Sequence, residues 1–349
     1  MYKLWSSHSD KKMNFLSIRS ILISVTLILI IMVVIFVALT RKPSQYYVQY
    51  GTALGTNVKI SYATSKGNAK EVVAQMFEIL DKVNETFNPW LAGSALYNLN
   101  HSDGKWIQVS PQLMDVLRYA IKISQDTNGS FDPTIGRLID LWGFNSSDSK
   151  KWHLPSPSEI ANVLPHVGYQ NVQFDGDKVR VLNGAWIDLG GIAKGYAVEL
   201  LVKFAKENDP NSTGYVDIGG DIGIIGPKYG NQPWKIGIRN PDGGPNDAIT
   251  YVDLYNGYIA TSGDYERYII VGGKRYYHIL NPKTGYSQNY FQSVTSISDN
   301  GMLSDAFSTA AMVSGPNHLN QWAAEMGVAY LTINNGQMQS NELWNEYAQ

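Results

Sequence analysis

Apolar and polar positions change period several times along the chain, and each change predicts an element. Residues 21–39, "ILISVTLILIIMVVIFVAL", are nineteen consecutive positions without a charge, long enough for a helix to cross a bilayer. In "NAKEVVAQMFEILDKVNETF" the residues Val72, Val73, Met76, Ile79, Leu80 and Val83 recur at helical spacing, which predicts a long amphipathic helix. "SPQLMDVLRYAIKISQDTNG" predicts a second, with Ser110 as N-cap, Pro111 in the first position and Gly129 past the end. A short helix is expected near Ser158 in the proline-punctuated "WHLPSPSEIANVLPHVGYQ". "VQYGTALGTNVKISYAT" alternates as a strand does, broken by Gly51 and Gly55. "NVQFDGDKVRVLNG" reads as a hairpin turning at Asp175-Gly176. The second half is richer in strands, interrupted by one helix after Gly191 and another beginning near Ser304. Neither a repeat nor an internal boundary is visible. The pattern is α+β, one large domain over residues 48–349 with a mixed, largely antiparallel sheet and helices packed on it.

Charge orients the apolar run. Lys3, Lys11, Lys12 and Arg19 precede it, while Arg41 and Lys42 follow, which favours the N-terminus inside and the body outside. A secretory signal has a shorter apolar core and a small-residue cleavage site, and "VALTRKPS" is a poor one. The expectation is therefore a cytoplasmic tail at 1–20, an uncleaved transmembrane signal anchor at 21–40 and a linker at 41–47. This makes the chain a single-pass protein of the cell membrane with an extracytoplasmic body. Of the 28 Lys/Arg and 30 Asp/Glu, six and one fall in residues 1–42, leaving 22 and 29 in the body. That balance is poor for nucleic acid, which needs a basic surface. The chain has no cysteine, so disulfides, thiolate metal sites, Cys nucleophiles and a lipid-modified N-terminal Cys are all excluded.

Several segments could carry chemistry. In "WIDLGGIAKGYAVELLVKFAKEN" a strand ends at Leu189, and Gly190-Gly191 feed a helix with Lys194 in its first turn. Free N–H groups at such a helix start suit phosphate, but an ordinary tight turn explains the glycines equally, and Asp188 is as readily a turn residue. "DIGGDIGIIGPKYG" lacks the GxGxxG spacing of a dinucleotide fold, and Pro227 stands where a helix should start. Asp305 and Thr309 are four apart and so share a helix face. They could offer two oxygens to a hard cation such as Mg²⁺, or serve only the helix start. "NGSFDPTIGRLIDLWGF" joins aromatic residues to an Asp-Pro turn, "ATSGDYERY" places Asp264 after a turn, and "YYHILNPKTGYS" puts His278 just before another.

Taken in order, "ALGT" (53–56), "GSFDPTIGRLIDLWGF" (129–144), "IDLGGIAKGYA" (187–197), "VDIGGDI" (216–222), "PWKIGIRNP" (233–241), "ATSGDYERY" (260–268), "HILNPKTGY" (278–286) and "SDAFSTAAMVSG" (304–315) resemble the ApbE family of FAD:protein FMN transferases. The resemblance implies an ApbE-like fold and a Mg²⁺-dependent enzyme that cleaves the FAD pyrophosphate. Such an enzyme moves FMN to a Thr or Ser hydroxyl of a target flavoprotein outside the cytoplasm and releases AMP. It further implies that Asp305, Thr309 and the Gly191 carbonyl bind the metal. Leu54, Ser130, Phe131, Asp132, Asp188, Lys194 and Ile279 would contact FAD, and His278 would be the acid–base group. Relatives usually carry Asp where this chain has Asn281, which leaves open whether that position tunes His278 or only shapes the turn. FAD hydrolysis to FMN and AMP, and a non-catalytic flavin-binding role at the membrane, are the competing readings.

Overall fold

The computed structural model describes residues 21, 23–33, 45–244 and 246–348, in two compact units that separate after Ser44. In the first unit, Ile21 and residues 23–33 are helical, with their apolar side chains exposed. The expected span at 21–40 is thus described only in part. The tail at 1–20, residues 34–40 and linker residues 41–44 lie outside the described residues. Among the described residues, no helix is long and apolar enough to cross a membrane.

The second unit is built on an eight-stranded sheet whose strands lie side by side in chain order. They are β1 (Tyr47–Ala53), β2 (Thr56–Ala63), β3 (Thr213–Ile218), β4 (Asp221–Gly226), β5 (Tyr258–Gly263), β6 (Ser293–Ser298), β7 (Ala329–Asn334) and β8 (Gln337–Ser340). Every neighbouring pair runs antiparallel. The expected mixed sheet is therefore corrected: among the described residues the one parallel pairing is an isolated bridge between Ile135 and Trp186. Antiparallel neighbours need only a tight turn to join them. Two residues at positive φ supply it twice, Leu54-Gly55 between β1 and β2 and Gly219-Gly220 between β3 and β4. The strand expected to be broken by Gly51 and Gly55 is this first hairpin, with Gly51 paired inside β1.

The helices follow the apolar stripes. Helix α1 (Ala69–Phe87) buries Val72, Val73, Met76, Leu80 and Val83. Helix α2 (Pro111–Asp126) starts where expected, the Ser110 hydroxyl accepting from the Leu113 N–H at 3.3 Å. The short helix Pro157–Val163 is capped by Ser156, in a capping box with Glu159, two residues before the expected start. Helix α3 (Ala193–Asn208) follows the Gly190-Gly191 turn. Helix α4 (Gly301–Ser314) begins three residues before Ser304, because the Asn300 side chain caps it by accepting from the Leu303 N–H at 2.8 Å. Ser304 is instead fully buried, its hydroxyl donating to the Tyr258 carbonyl.

Helix α3 packs on β3 and β4, α4 packs on β5 and β6, and the two helices cross in contact. Their apolar sides share one core with Val58, Ile60, Val216 and Ile218 of the sheet. On the sheet's other face Ile224, Ile259, Ile297, Leu331 and Ile333 are covered by the ribbon of Trp234–Arg239 and Ala248–Leu254. Each such buried side chain stabilises the unit by about 1.5–3 kcal/mol. The α3–α4 crossing is unusually close at Gly195, where a methyl group would lie 2.2 Å from the Gly301 carbonyl oxygen. That closeness brings the polar residues at the start of α3 against those of α4.

Candidate active site

Lys194, in the first turn of α3, is the hub. Its ammonium lies 2.6 Å from Asp221 and 3.0 Å from Asp305. Asp221 opens β4 immediately after the Gly219-Gly220 turn, and Asp305 lies on α4 with its second oxygen accepting from the Gly195 N–H at 3.1 Å. Both carboxylates are only 2% exposed. Burial alone would push the Lys194 ammonium down, but the two carboxylates outweigh it and hold it above the ordinary lysine value. Burial and the neighbouring Asp305 push Asp221 well above the usual carboxylate range, against the pull of Lys194.

Thr309, one turn beyond Asp305, shares its hydroxyl with Ser262 of β5 at 3.2 Å. Gly191 fits tightly into this corner, since a methyl group there would sit 3.2 Å from both the Thr309 hydroxyl oxygen and the Phe131 ring. Asp305 and Thr309 of α4 therefore converge with the backbone of the Gly190-Gly191 turn that precedes α3. Asp221 adds a buried carboxylate oxygen with no hydrogen-bond partner among the described residues. Among those residues no three His, Asp or Glu side chains form a metal-binding group. A cation here would draw on one carboxylate, a hydroxyl and a backbone carbonyl. This all-oxygen set fits a hard ion such as Mg²⁺ and not a soft one.

The loop before α3 is braced by acids. The Asp188 carboxylate accepts from the Gly190 N–H at 2.7 Å and forms the turn, while its own N–H donates to the Pro133 carbonyl. Burial raises the Asp188 carboxyl above its ordinary value, opposed by that N–H, by Arg267 and by the Trp90 indole. Asp132 uses one oxygen for the Thr134 N–H and hydroxyl and the other for the Tyr169 N–H. Its carboxylate is thus spent within the loop that positions Phe131. Leu54 holds the strained tip of the β1–β2 hairpin at φ 52°, and nearby Thr56 packs on Gly219 beside Asp221. Ile279 is buried in the main core. Among the described residues, no hydrogen bond ties Leu54, Ser130 or Ile279 to the Lys194 cluster.

His278 follows the strand Lys274–Tyr277, and its N–H donates to the Arg267 carbonyl at 3.0 Å. Its ring Nδ1 is buried without a partner among the described residues. Burial, then the charges of Arg267 and Lys194, push the imidazole down to about 3. It is therefore neutral at ambient pH, and the field of Lys194 reaches it. Asn281 settles into the turn: its side-chain oxygen accepts from the Lys283 N–H at 2.8 Å and its carbonyl from the Gly285 N–H at 2.8 Å. That side chain therefore shapes the turn. Asp264 follows strand β5, where a turn was expected, and pairs with Arg275 at 2.8 Å.

Three residues of this site carried no sequence expectation: Asp221, Arg267 and Trp90. Asp221 and Arg267 lie inside the quoted segments "VDIGGDI" and "ATSGDYERY", so the signal was a charged residue in a segment already singled out. Trp90 had no such signal.

A family model described as the ApbE family matches residues 54–332. Among curated proteins, the FAD:protein FMN transferase of Haemophilus influenzae is 30% identical over 314 residues, covering 85% of this chain and 89% of that protein. The protein of the same name from Klebsiella pneumoniae is 29% identical over 296 residues, covering 82% and 84%. Among solved structures, the ApbE protein of Thermotoga maritima matches with a TM-score of 0.83 at 38% identity, covering 87% of this chain and 100% of that one. The flavinyl transferase ApbE of Pseudomonas stutzeri matches with a TM-score of 0.76 at 27% identity, covering 88% and 98%.

Proposed function

The chain belongs to the ApbE family, and from that membership we propose that it transfers the FMN half of FAD to a Thr or Ser hydroxyl of a target flavoprotein. The observation that carries the reading is the convergence of Lys194, Asp305, Thr309 and Gly191, a cation held beside oxygen donors, with neutral His278 in the field of Lys194. The hydroxyl oxygen attacks the FMN phosphorus, the bond from that phosphorus to the bridging oxygen breaks, and AMP leaves. Asp305, Thr309 and the Gly191 carbonyl would hold Mg²⁺, which neutralises pyrophosphate charge when bound. Lys194 offers its ammonium to the same phosphates. Asp188 and Asp132 hold the loops that carry Gly191 and Phe131, and Leu54, Ser130 and Ile279 border the flavin nucleotide.

His278 takes the proton of the attacking hydroxyl on its Nδ1, which has no hydrogen-bond partner among the described residues. Its basicity is depressed first by burial and then by the charges of Arg267 and Lys194. A dianionic pyrophosphate beside Lys194 offsets that field and raises the basicity of the imidazole as substrate binds. Anchoring by residues 21–40, with the catalytic unit outside the cytoplasm, is part of the same reading, supported by the uncharged run and its exposed apolar side chains.

Transfer is separated from hydrolysis by incubating the protein with FAD, Mg²⁺ and an exported flavoprotein that presents a Thr or Ser hydroxyl. Transfer leaves flavin fluorescence on the acceptor band after denaturing electrophoresis. AMP formation with a dark acceptor band would make the chain a pyrophosphatase.

A further inference from the structure

The pairing at Lys194 is unbalanced. One ammonium serves two buried carboxylates, and the second oxygen of Asp221 has no hydrogen-bond partner among the described residues. Asp305 is the carboxylate of the proposed cation site, whereas Asp221 stands on the sheet and holds Lys194 more closely, at 2.6 Å against 3.0 Å. A cation arriving at Asp305 competes with the ammonium for the same oxygen. The Lys194 side chain is 26% exposed, so an ammonium displaced from Asp305 stays at the site, and does not swing out to water, only if another acceptor keeps it.

We propose that Asp221 is a positioning residue that retains Lys194 when a divalent cation takes Asp305, so that the lysine ceases to block the cation site and stays aimed at the substrate phosphates. The proposal rests on the flavin-transfer reading for its substrate, but the exchange at Asp305 is testable without flavin. It makes Lys194 an occupant of the site in the absence of cation, and Asp221 the group to which it withdraws. The isosteric change Asp221→Asn keeps the shape and removes the charge. Among the described residues Lys194 then has Asp305 as its one anionic partner and binds it in competition with the metal.

The test is Mn²⁺ binding followed by electron paramagnetic resonance in the absence of FAD. D221N should weaken Mn²⁺ about 10–100-fold, the range for losing a group that positions a ligand. K194M should bind Mn²⁺ more tightly than the native chain, and the double variant D221N/K194M should recover at least native affinity, since no ammonium is left to compete. Native affinity in D221N would overturn the proposal. So would a double variant as weak as D221N, which would instead make Asp221 a direct ligand. If D221N does not fold, Asp221→Ser is compared in the same way. A native chain that binds no Mn²⁺ sinks the exchange itself, while AMP release from FAD with Mg²⁺ reports separately on the proposed function.

Discussion

Gly195→Ala tests whether the α3–α4 crossing sets the geometry of the site. An added methyl group would lie 2.2 Å from the Gly301 carbonyl oxygen and 2.9 Å from the Asp305 Cβ. Ordinary van der Waals contact requires the helices to part by about 1 Å. Overpacking of this kind costs about 1–3 kcal/mol. The same movement separates Lys194 and the Gly195 N–H from Asp305, contacts now at 3.0 and 3.1 Å. A misplacement of about 1 Å at a reacting centre lowers turnover about 100-fold. The assay pairs AMP release from FAD, as kcat/KM, with urea unfolding followed by circular dichroism. Gly176→Ala is the control: it stands at φ +56° with nothing within 4 Å, so it should cost about 1 kcal/mol of backbone strain and leave kcat/KM unchanged. If G195A unfolds earlier but turns over normally, the crossing does not position the site. If neither quantity changes, the packing argument itself is refuted.

Three further outcomes follow from the same geometry. Asp305→Ala should abolish Mg²⁺-dependent AMP release, and retained activity would remove Asp305 from the metal site. Asn281→Asp should leave kcat/KM unchanged because an Asp oxygen can accept from the Lys283 N–H, whereas Asn281→Ala should lose about 0.5–1.5 kcal/mol of stability with the hydrogen bond; a large gain of activity in N281D would show that the position tunes His278 after all. His278→Gln should lower kcat/KM about 10²–10⁴-fold. It should also flatten part of the acid sensitivity of folding: the imidazole sits near 3 when folded and near 6.5 when unfolded, so the unfolded chain binds the extra proton between those values and stability falls as pH drops through that window. An identical pH dependence of the urea midpoint in both chains would contradict that burial.

Local signals were the legible part of the fold. Ser110 with Pro111, the stripe from Val72 to Val83 and the Asp175-Gly176 turn each specify an element within a few residues of sequence, and each is found. Asp305 and Thr309 were legible because four residues are one helical turn. Pairing across the chain was not. Lys194 meets Asp221 and Asp305 across 27 and 111 residues, and periodicity says nothing about contacts that only sheet order creates. For the same reason alternation within strands did not reveal that all eight run antiparallel. The start of α4 shows the limit of cap rules, since Asn300 and Ser304 are both competent caps and burial of Ser304 decides between them.

Transfer of FMN onto protein is tested by comparing the exported proteins of the same cells with and without this gene, using mass spectrometry of tryptic peptides. A Thr- or Ser-containing peptide carrying FMN through a phosphoester should disappear when the gene is removed and return with the native chain but not with D305A. An unchanged set of FMN-bearing peptides would contradict transfer.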